Sequence, residues 1–330
     1  MTVTRNRQHG MTLIELMVAL AIGMFLMIGA ITVFMQGRTT FRITESLSRL
    51  QENGRFALDT LEPDIRMAQY WGLTNRSTNI DGAALPTDPA GIGPGTCGNN
   101  WTINVVNSVD GTNNSYGWAC AGNAPIETNA DTLVVRRASE DPILAGRTAN
   151  TLYVQSNRSE RSRIFAGVAL PASPEPTTSQ PFRLVVHGYY VSRDNTSSLS
   201  TPTNRVPSLR MKTLVDGGVI VDQEILPGIE DMQVQFGIDT TAAGTNGRGT
   251  IDRYVNPGDP ILDRTSPSYI PDAQILAVRI WLRVRAENQE NGFVDTTTYT
   301  YAGINAGPFN DGYRRLVVSK TIFLRNANFS

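Results

Sequence analysis

Residues 9–18 read HGMTLIELMV, and this stretch decides the fold of the chain. Gly10 separates a short polar leader from a long apolar run that extends to Met35. Within that run the only polar side chains are those of Thr12, Glu15 and Thr32. Its 25 residues would form about 37 Å of α-helix, and the hydrocarbon core of a bilayer is about 30 Å thick. The run therefore predicts a helix that spans a membrane.

The charges around this run predict its orientation. The leader, residues 1–10, carries Arg5, Arg7 and His9 and no acidic residue. Basic residues before a span keep that end in the cytoplasm, so the long segment after it is expected outside. The whole chain has 29 basic and 30 acidic residues and a net charge of −1. This balance gives no indication of nucleic-acid binding.

The single acidic residue in the run requires a partner. A charge at the bilayer centre costs about 2.5–3.5 kcal/mol, and the twelve Leu, Ile, Val and Phe residues of the run contribute about −4 to −7 kcal/mol. Insertion is therefore compatible with Glu15. If the chain is cut after Gly10, the new α-amine of Met11 lies one helical turn from Glu15 on the same face. That amine, or the same amine of a neighbouring copy, can neutralise the carboxylate.

Residues 10–16, GMTLIEL, between a basic leader and an apolar helix, resemble the signature of type IV prepilins. The resemblance implies that the prepilin peptidase cleaves between Gly10 and Met11 on the cytoplasmic side. It also implies N-methylation of Met11 and a role for Glu15 in docking to the next subunit of a filament. An ordinary signal anchor with an incidental Glu15 is the alternative. A secretory signal peptide fits less well, because the run is too long and no small-residue cleavage motif follows it.

The helical pattern continues beyond the apolar run. Apolar or small residues recur at steps of three and four, with charged residues between them: Leu47, Leu50, Gly54, Ala57 or Leu58, Leu61, Ile65 and Ala68. This spacing predicts one helix from about residue 12 to about residue 70, whose second half packs on the sheet of the same chain. Pro63 is expected to kink or restart the helix.

After Gly72 the chain is rich in Gly, Asn, Thr and Pro, and β-like runs follow at intervals. They are residues 102–107, 132–137, 151–155, 182–191, 208–214, 219–226, 232–238, 275–285, 296–301 and 315–324. In residues 278–285 Val, Ile and Leu alternate with Arg and Trp, as expected for a sheet with one covered face. The predicted fold is α+β and pilin-like, with a long N-terminal α-helix packed on an antiparallel β-sheet head with long loops. The expected boundaries are 1–10 leader, 11–35 membrane or filament-core half-helix, 36–72 amphipathic half-helix, and 73–330 extracytoplasmic head.

Several later segments resemble the PilW group of minor pilins. They are residues 129–138, 188–191, 207–210, 226–239 and 313–326. The resemblance implies a low-copy subunit that primes pilus assembly, remains at or near the filament tip and contributes to motility and adhesion. It implies as partners the prepilin peptidase, the major pilin, other minor pilins and a tip adhesin. The implied location is the bacterial inner membrane, with a single span and a periplasmic head, and then the pilus at the cell surface.

Two cysteines, Cys97 and Cys120, lie in one Gly-, Asn- and Ser-rich region. In an oxidising compartment they predict a disulfide. A metal site is less favoured, because there is no C-x-x-C motif and both histidines, His9 and His187, are remote.

The remaining chemistry is sparse, so no enzyme activity, catalytic residue, cofactor or metal is predicted. Residues 239–252 loosely resemble a calcium loop but lack its spacing, so a flexible hairpin loop is favoured. Seven arginines on predicted strands are interpreted mainly as solvated side chains: Arg136, Arg137, Arg279, Arg283, Arg285, Arg314 and Arg315. Two alternatives to the pilus subunit stay open, a J-like pseudopilin of a type II secretion system and a minor pilin that binds a ligand or DNA.

Overall fold

The computed structural model describes residues 10–82, 97–98, 101–123, 125–195 and 205–327. Its one long helix, α1, covers Leu13–Arg66. The chain divides into two compact units, residues 1–49 and residues 50–330. We call the second unit the head; it contains the last part of α1. In the first unit no described residue is buried.

Helix α1 ends four residues earlier than the sequence pattern predicts. Pro63 lies within the helix and does not restart it. The helix ends at Arg66, and Gln69 then adopts a left-handed backbone conformation with φ 65°. Proline has no N–H, so the carbonyl four residues before it receives no helical hydrogen bond from this position, but the N–H of Met67 donates to the Pro63 carbonyl at 3.1 Å and the helix continues past the proline.

One face of α1 is buried in the head, as the spacing of its apolar residues predicts. The buried positions from this stripe are Leu50, Gly54, Ala57, Leu58, Leu61 and Ile65. At Gly54 the helix lies so close to a sheet that an added Cβ would stand 2.9 Å from a methyl carbon of Val318. Each fully buried Leu or Ile contributes about 1.5–3 kcal/mol relative to exposure, so this face fixes the helix to the head.

The first sheet of the head has eight strands in the order β1-β5-β4-β6-β3-β2, with β7 paired to β6 and β8 paired to β7. All pairs are antiparallel except β1 with β5. The strands are β1 Ile80–Asp81, β2 Val109–Asp110, β3 Leu133–Pro142, β4 Leu152–Ser156, β5 Ser162–Ala166, β6 Gln180–Ser192, β7 Ser208–Val215 and β8 Val219–Pro227.

The second sheet is antiparallel and has the order β10-β9-β11-β14, and β12 and β13 form a separate two-stranded ribbon. The strands are β9 Ile229–Asp239, β10 Arg253–Val255, β11 Gln274–Arg285, β12 Tyr299–Tyr301, β13 Ile304–Ala306 and β14 Arg315–Phe323. The covered face of β11 is apolar as predicted, since Val278, Ile280, Leu282 and Val284 are fully buried. These residues and the buried face of α1 belong to one hydrophobic core.

One predicted strand is wrong. Residues 102–107 form turns, although Ile103 and Val105 are fully buried. The N–H of Asn107 donates to the backbone carbonyl of Asn104 at 3.2 Å, so the local bonds form a turn instead of a ladder. Five short strands, β1, β2, β5, β10 and β13, were not predicted from the sequence.

Candidate assembly segment and its support in the head

Thr12 and Glu15 form a reciprocal set of hydrogen bonds at the start of α1. The N–H and the hydroxyl of Thr12 both donate to Oε2 of Glu15 at 2.9 Å, and the N–H of Glu15 donates to Oγ1 of Thr12 at 3.3 Å. This is the capping-box arrangement, which satisfies amide groups that have no partner within the helix. The T-x-x-E spacing already contained this signal, but the sequence analysis assigned no role to Thr12.

The capping box uses only one oxygen of the Glu15 carboxylate. Among the described residues, Oε1 of Glu15 has no hydrogen-bond donor. A carboxylate can accept several hydrogen bonds, so Oε1 remains able to accept from an amine. Glu15 can therefore cap its own helix and bind a second group at the same time.

Gly10 and Met11 precede the helix in an exposed segment without regular structure. Met11 is 69% exposed, and nothing lies within 4 Å of a Cβ built on Gly10. The bond between them is thus accessible, as a processing site requires. The leader arginines and His9 lie outside the described residues, and the predicted cleavage, methylation and docking remain predictions.

The apolar side chains of residues 11–35 are unburied in this structure. The large ones are between 50% and 79% exposed. Among the described residues, α1 is the one helix that is long and apolar enough to cross a membrane. Gly23, Gly29 and Gly37 lie within this helix, and nothing is within 4 Å of a Cβ built on any of them.

The buried carboxylate of Asp64 joins α1 to the first sheet. Its Oδ1 accepts from Nε of Arg137 at 2.8 Å, and its Oδ2 accepts from Tyr189 O–H at 2.9 Å and lies 2.9 Å from Nδ1 of His187. Burial raises the pKa of Asp64, but His187 and Arg137 outweigh this effect, so the pKa lies below its usual value. No role was predicted for Asp64 from the sequence, and His187 was noted only as remote from the two cysteines.

A second ionic cluster is buried between β9, β11 and β14. Glu230 accepts from Nε of Arg283 at 3.0 Å and from Nε of Arg315 at 2.7 Å. Arg315 also donates to Asp295 at 3.0 Å and to Asp311 at 2.7 Å. Burial raises the pKa of Glu230, but these arginines outweigh it and hold the pKa below its usual value.

The interpretation of the strand arginines as mainly solvated side chains is wrong. Arg136 is 1% exposed and donates to the backbone carbonyls of Trp101 and Asn107, both at 2.7 Å. Arg137 binds Asp64, and Arg283 and Arg315 bind Glu230. The alternation in β11 correctly predicted that Arg283 and Arg285 lie on the face opposite its buried aliphatic residues. It could not show that acidic residues from distant segments lie against that face.

Cys97 and Cys120 are joined by a disulfide, with their Cα atoms 4.3 Å apart. The bond closes the loop that precedes β3. Both sulfur-bearing residues belong to a second, smaller core around Trp71 and Trp101. The predicted disulfide is therefore present, and the described part of its loop contains one strand, the two-residue β2.

The acidic residues of the 239–252 loop bind the loop's own backbone. Asp239 accepts from the N–H groups of Thr241 and Gly249 at 2.8 and 2.6 Å. Asp252 accepts from the N–H of Thr240 at 2.7 Å. Within the described part of the chain, no group of three or more His, Cys, Asp or Glu residues is arranged to hold a metal ion. These contacts are those of a hairpin loop.

Comparison with known proteins gives two family matches. The model described as type IV pilus-assembly protein W matches residues 188–326, and the prokaryotic N-terminal methylation motif matches residues 5–31. No curated protein matches the chain. Among solved structures, a type IV-like pilin from Thermus thermophilus is similar, with 16% sequence identity, a TM-score of 0.25, and coverage of 56% of this chain and 87% of that one.

Proposed function

Because the chain is a pilin of the PilW type, carrying that domain and the N-terminal methylation motif, we propose that it primes type IV pilus assembly. In this proposal the prepilin peptidase cleaves between Gly10 and Met11, and the new amine of Met11 is methylated. The subunit is anchored with its head in the periplasm, joins the major pilin and other minor pilins, and remains at or near the filament tip. There it supports motility and adhesion.

The observation that carries the proposal is the exposed apolar segment at the capped start of α1. Each large apolar side chain of residues 11–35 would gain about 1.5–3 kcal/mol on leaving water, so this segment requires lipid or other helices around it. Thr12 and Glu15 stabilise its first turn, and Oε1 of Glu15 remains available. The α-amine of a neighbouring subunit is a suitable partner, because an ion pair in an apolar surrounding fixes register.

The glycines of the helix support packing against other helices as well as anchoring. A glycine in a helix costs about 0.8–1 kcal/mol relative to alanine, and nothing packs on Gly23 or Gly29 within the described residues. Ala19 and Gly23 are spaced four apart, which is the small-xxx-small pattern that lets helices approach closely in a membrane. A bundle of pilin helices supplies such contacts.

The size of the head supports a position at the end of the filament. The head comprises residues 50–330 in one compact unit. A large head is difficult to repeat along a tightly packed shaft, whereas at an end some neighbours are missing. When the subunit stands at the end of a nascent filament, its apolar helix is the first surface to which major pilins add.

The test is deletion of the gene followed by counting of surface filaments, in a normal strain and in one that cannot retract filaments. Loss in the first strain with partial recovery in the second is expected for a priming subunit. When the deletion strain is complemented with the Glu15→Gln variant, that protein should be processed normally but should not restore filaments. Glu45→Gln is the matched control, since Glu45 lies on the same helix and pairs only with exposed Arg49; it should restore them.

A type II pseudopilin is the competing assignment. Normal filament numbers together with lost protein secretion would favour it and would contradict the priming role. Gly10→Ser tests processing separately, because it should leave the leader attached. Equal loss of cleavage in Gly10→Ser and Glu15→Gln would contradict the distinct roles given to the two residues.

A further inference from the structure

A cavity of about 510 Å³ lies in the head beside the end of α1 and the start of β11. Its walls come from five segments: Gln69 after the helix, residues 75–78, residues 106–110, the loop after β9, and residues 258–275. Small-molecule sites in proteins are commonly about 300–1,000 Å³. The cavity therefore has the size of a ligand site, and none of the contacts that support assembly involves it.

The charges of the cavity wall nearly cancel. Three arginines and four aspartates line it: Arg76, Arg248, Arg264, Asp110, Asp259, Asp263 and Asp272. All four carboxylates accept from backbone N–H groups: Asp110 from Gly111 at 2.8 Å, Asp259 from Ile261 at 3.0 Å, Asp263 from Thr265 at 2.8 Å and Asp272 from Ala243 at 3.3 Å. A wall of mixed charge disfavours a polyanion such as nucleic acid, and its many polar side chains disfavour an apolar ligand.

Two glutamines in this wall have unpaired side chains. Neither the amide of Gln69 nor that of Gln274 forms a hydrogen bond with any described residue, and Oε1 of each is buried. Nε of Arg248, in the same wall, is also buried without a described partner. Buried polar groups are nearly always hydrogen-bonded in folded proteins, so these three groups in one wall require partners that the described residues do not supply.

We propose that this cavity binds a neutral oligosaccharide of two or three sugar units. A sugar hydroxyl both donates and accepts hydrogen bonds, which matches a wall that offers amides, carboxylates and guanidinium groups together. Half-buried Tyr269 and the side chain of Leu262 supply apolar surface in the same wall. In this proposal the side chains of Gln69, Gln274 and Arg248 rotate toward the cavity when the sugar binds, because Oε1 of each glutamine and Nε of Arg248 are buried without a ligand.

The position in the head suits a ligand from outside the cell. Gly54 packs against Val284, near the last residue of β11, whereas Gln274 is the first residue of that strand. At about 3.3 Å per residue, β11 separates the two by about 30 Å. The cavity therefore lies at the opposite end of the head from the first helical residues that enter it. Binding at this site requires no filament, so it can be tested independently of the priming role.

The test measures sugar binding by the mature chain in micelles of a detergent without a sugar headgroup. The probes are maltotriose, cellotriose and N,N′,N″-triacetylchitotriose, and an acetylated tetra-alanine amide is the neutral peptide for comparison. Binding of each probe is measured by saturation-transfer NMR and by calorimetry. We expect at least one sugar to bind. Gln274→Leu and Gln69→Leu should each weaken that binding by about tenfold or more, which corresponds to about 1.4 kcal/mol.

A stability measurement separates binding from folding. Leucine has nearly the volume of glutamine and removes an unpaired buried amide, so the unfolding midpoint of both variants should be unchanged or raised. Gln235→Leu is the matched control: Gln235 lies on β9, outside the wall, and pairs with Asn256 at 3.2 Å. It should bind like the wild type. Absence of sugar binding, equal binding in all variants, or preference for the peptide would overturn the proposal.

Discussion

Replacing Asp64 by Asn tests whether the joint between α1 and the first sheet depends on a charge. The substitution keeps the shape of the side chain but removes the carboxylate that Arg137, His187 and Tyr189 contact at 2.8–2.9 Å. Asp64 is 6% exposed, so water cannot replace the lost contacts. The amide N–H₂ group would then face either Arg137, in the place of Oδ1, or both His187 and Tyr189, in the place of Oδ2.

The expected cost follows from the burial of the group. Removing one partner of a buried ion pair typically costs about 3–5 kcal/mol, because the other charge is left uncompensated. Arg137 is largely buried and has no alternative acidic partner among the described residues. We therefore expect Asp64→Asn to lower the free energy of unfolding of the head by about 3–5 kcal/mol.

Tryptophan fluorescence during urea unfolding measures this cost in the mature, detergent-solubilised protein. The four tryptophans, Trp71, Trp101, Trp118 and Trp281, all lie in the head. Asp59→Asn is the matched control, since Asp59 lies on the same helix but is 52% exposed and pairs with Lys320 at 3.1 Å. An exposed pair contributes about 0–1 kcal/mol. If Asp64→Asn and Asp59→Asn unfold alike, the role given to Asp64 is refuted.

The pH dependence of the stability of the head tests the Asp64 carboxylate independently. The pKa of Asp64 is lowered in the folded protein, so its contribution is complete above the unfolded-state pKa of about 3.9. It is lost as the pH falls below that value and through the lowered pKa of the folded state. The wild type should therefore approach the stability of Asp64→Asn in acid. A difference that stays constant from pH 7 to pH 3 would contradict this account.

Three further changes have defined outcomes. Gly54→Ala places a Cβ 2.9 Å from a Val318 methyl carbon and should destabilise the head by about 1–3 kcal/mol; no loss in urea unfolding would contradict the close approach. Cys97→Ser opens the disulfide loop and should cost about 3 kcal/mol relative to the oxidised wild type; the reduced wild type is the control and should unfold at the same urea concentration as the variant. Burial raises the pKa of Asp131 to about 6, so ionising it opposes folding as pH rises from 4 to 7. Unfolding titrations should then show the stability of Asp131→Asn relative to wild type increasing over that range, and a flat difference would refute it.

The strands of the head could be predicted only in part from the sequence. Each long run of alternating apolar residues became a strand close to its predicted bounds, as in β6 and β11. The short strands β1, β2, β5, β10 and β13 have no comparable pattern. They exist because neighbouring strands supply hydrogen-bond partners, for example β5 for the two residues of β1.

The ionic clusters of the head could not be predicted from local sequence patterns. Asp64 and His187 are 123 positions apart in the chain, and Glu230 and Arg315 are 85 apart. No local pattern reports such a pairing, because it depends on which strands lie side by side. The same limit applies to Gln69 and Gln274, which line one cavity although they are 205 positions apart in the chain.

The sequence by itself determined the apolar helix, its capping signal, the amphipathic stripe and the face that each long strand buries. These follow from side-chain periodicity and from bonds within one helical turn, which depend only on near neighbours in the chain. The tertiary structure decided which acids neutralise the strand arginines, where the helix ends, and which polar groups remain unpaired around the cavity. Those outcomes depend on contacts between distant segments, whose energies are set by burial and by the partners that folding brings together.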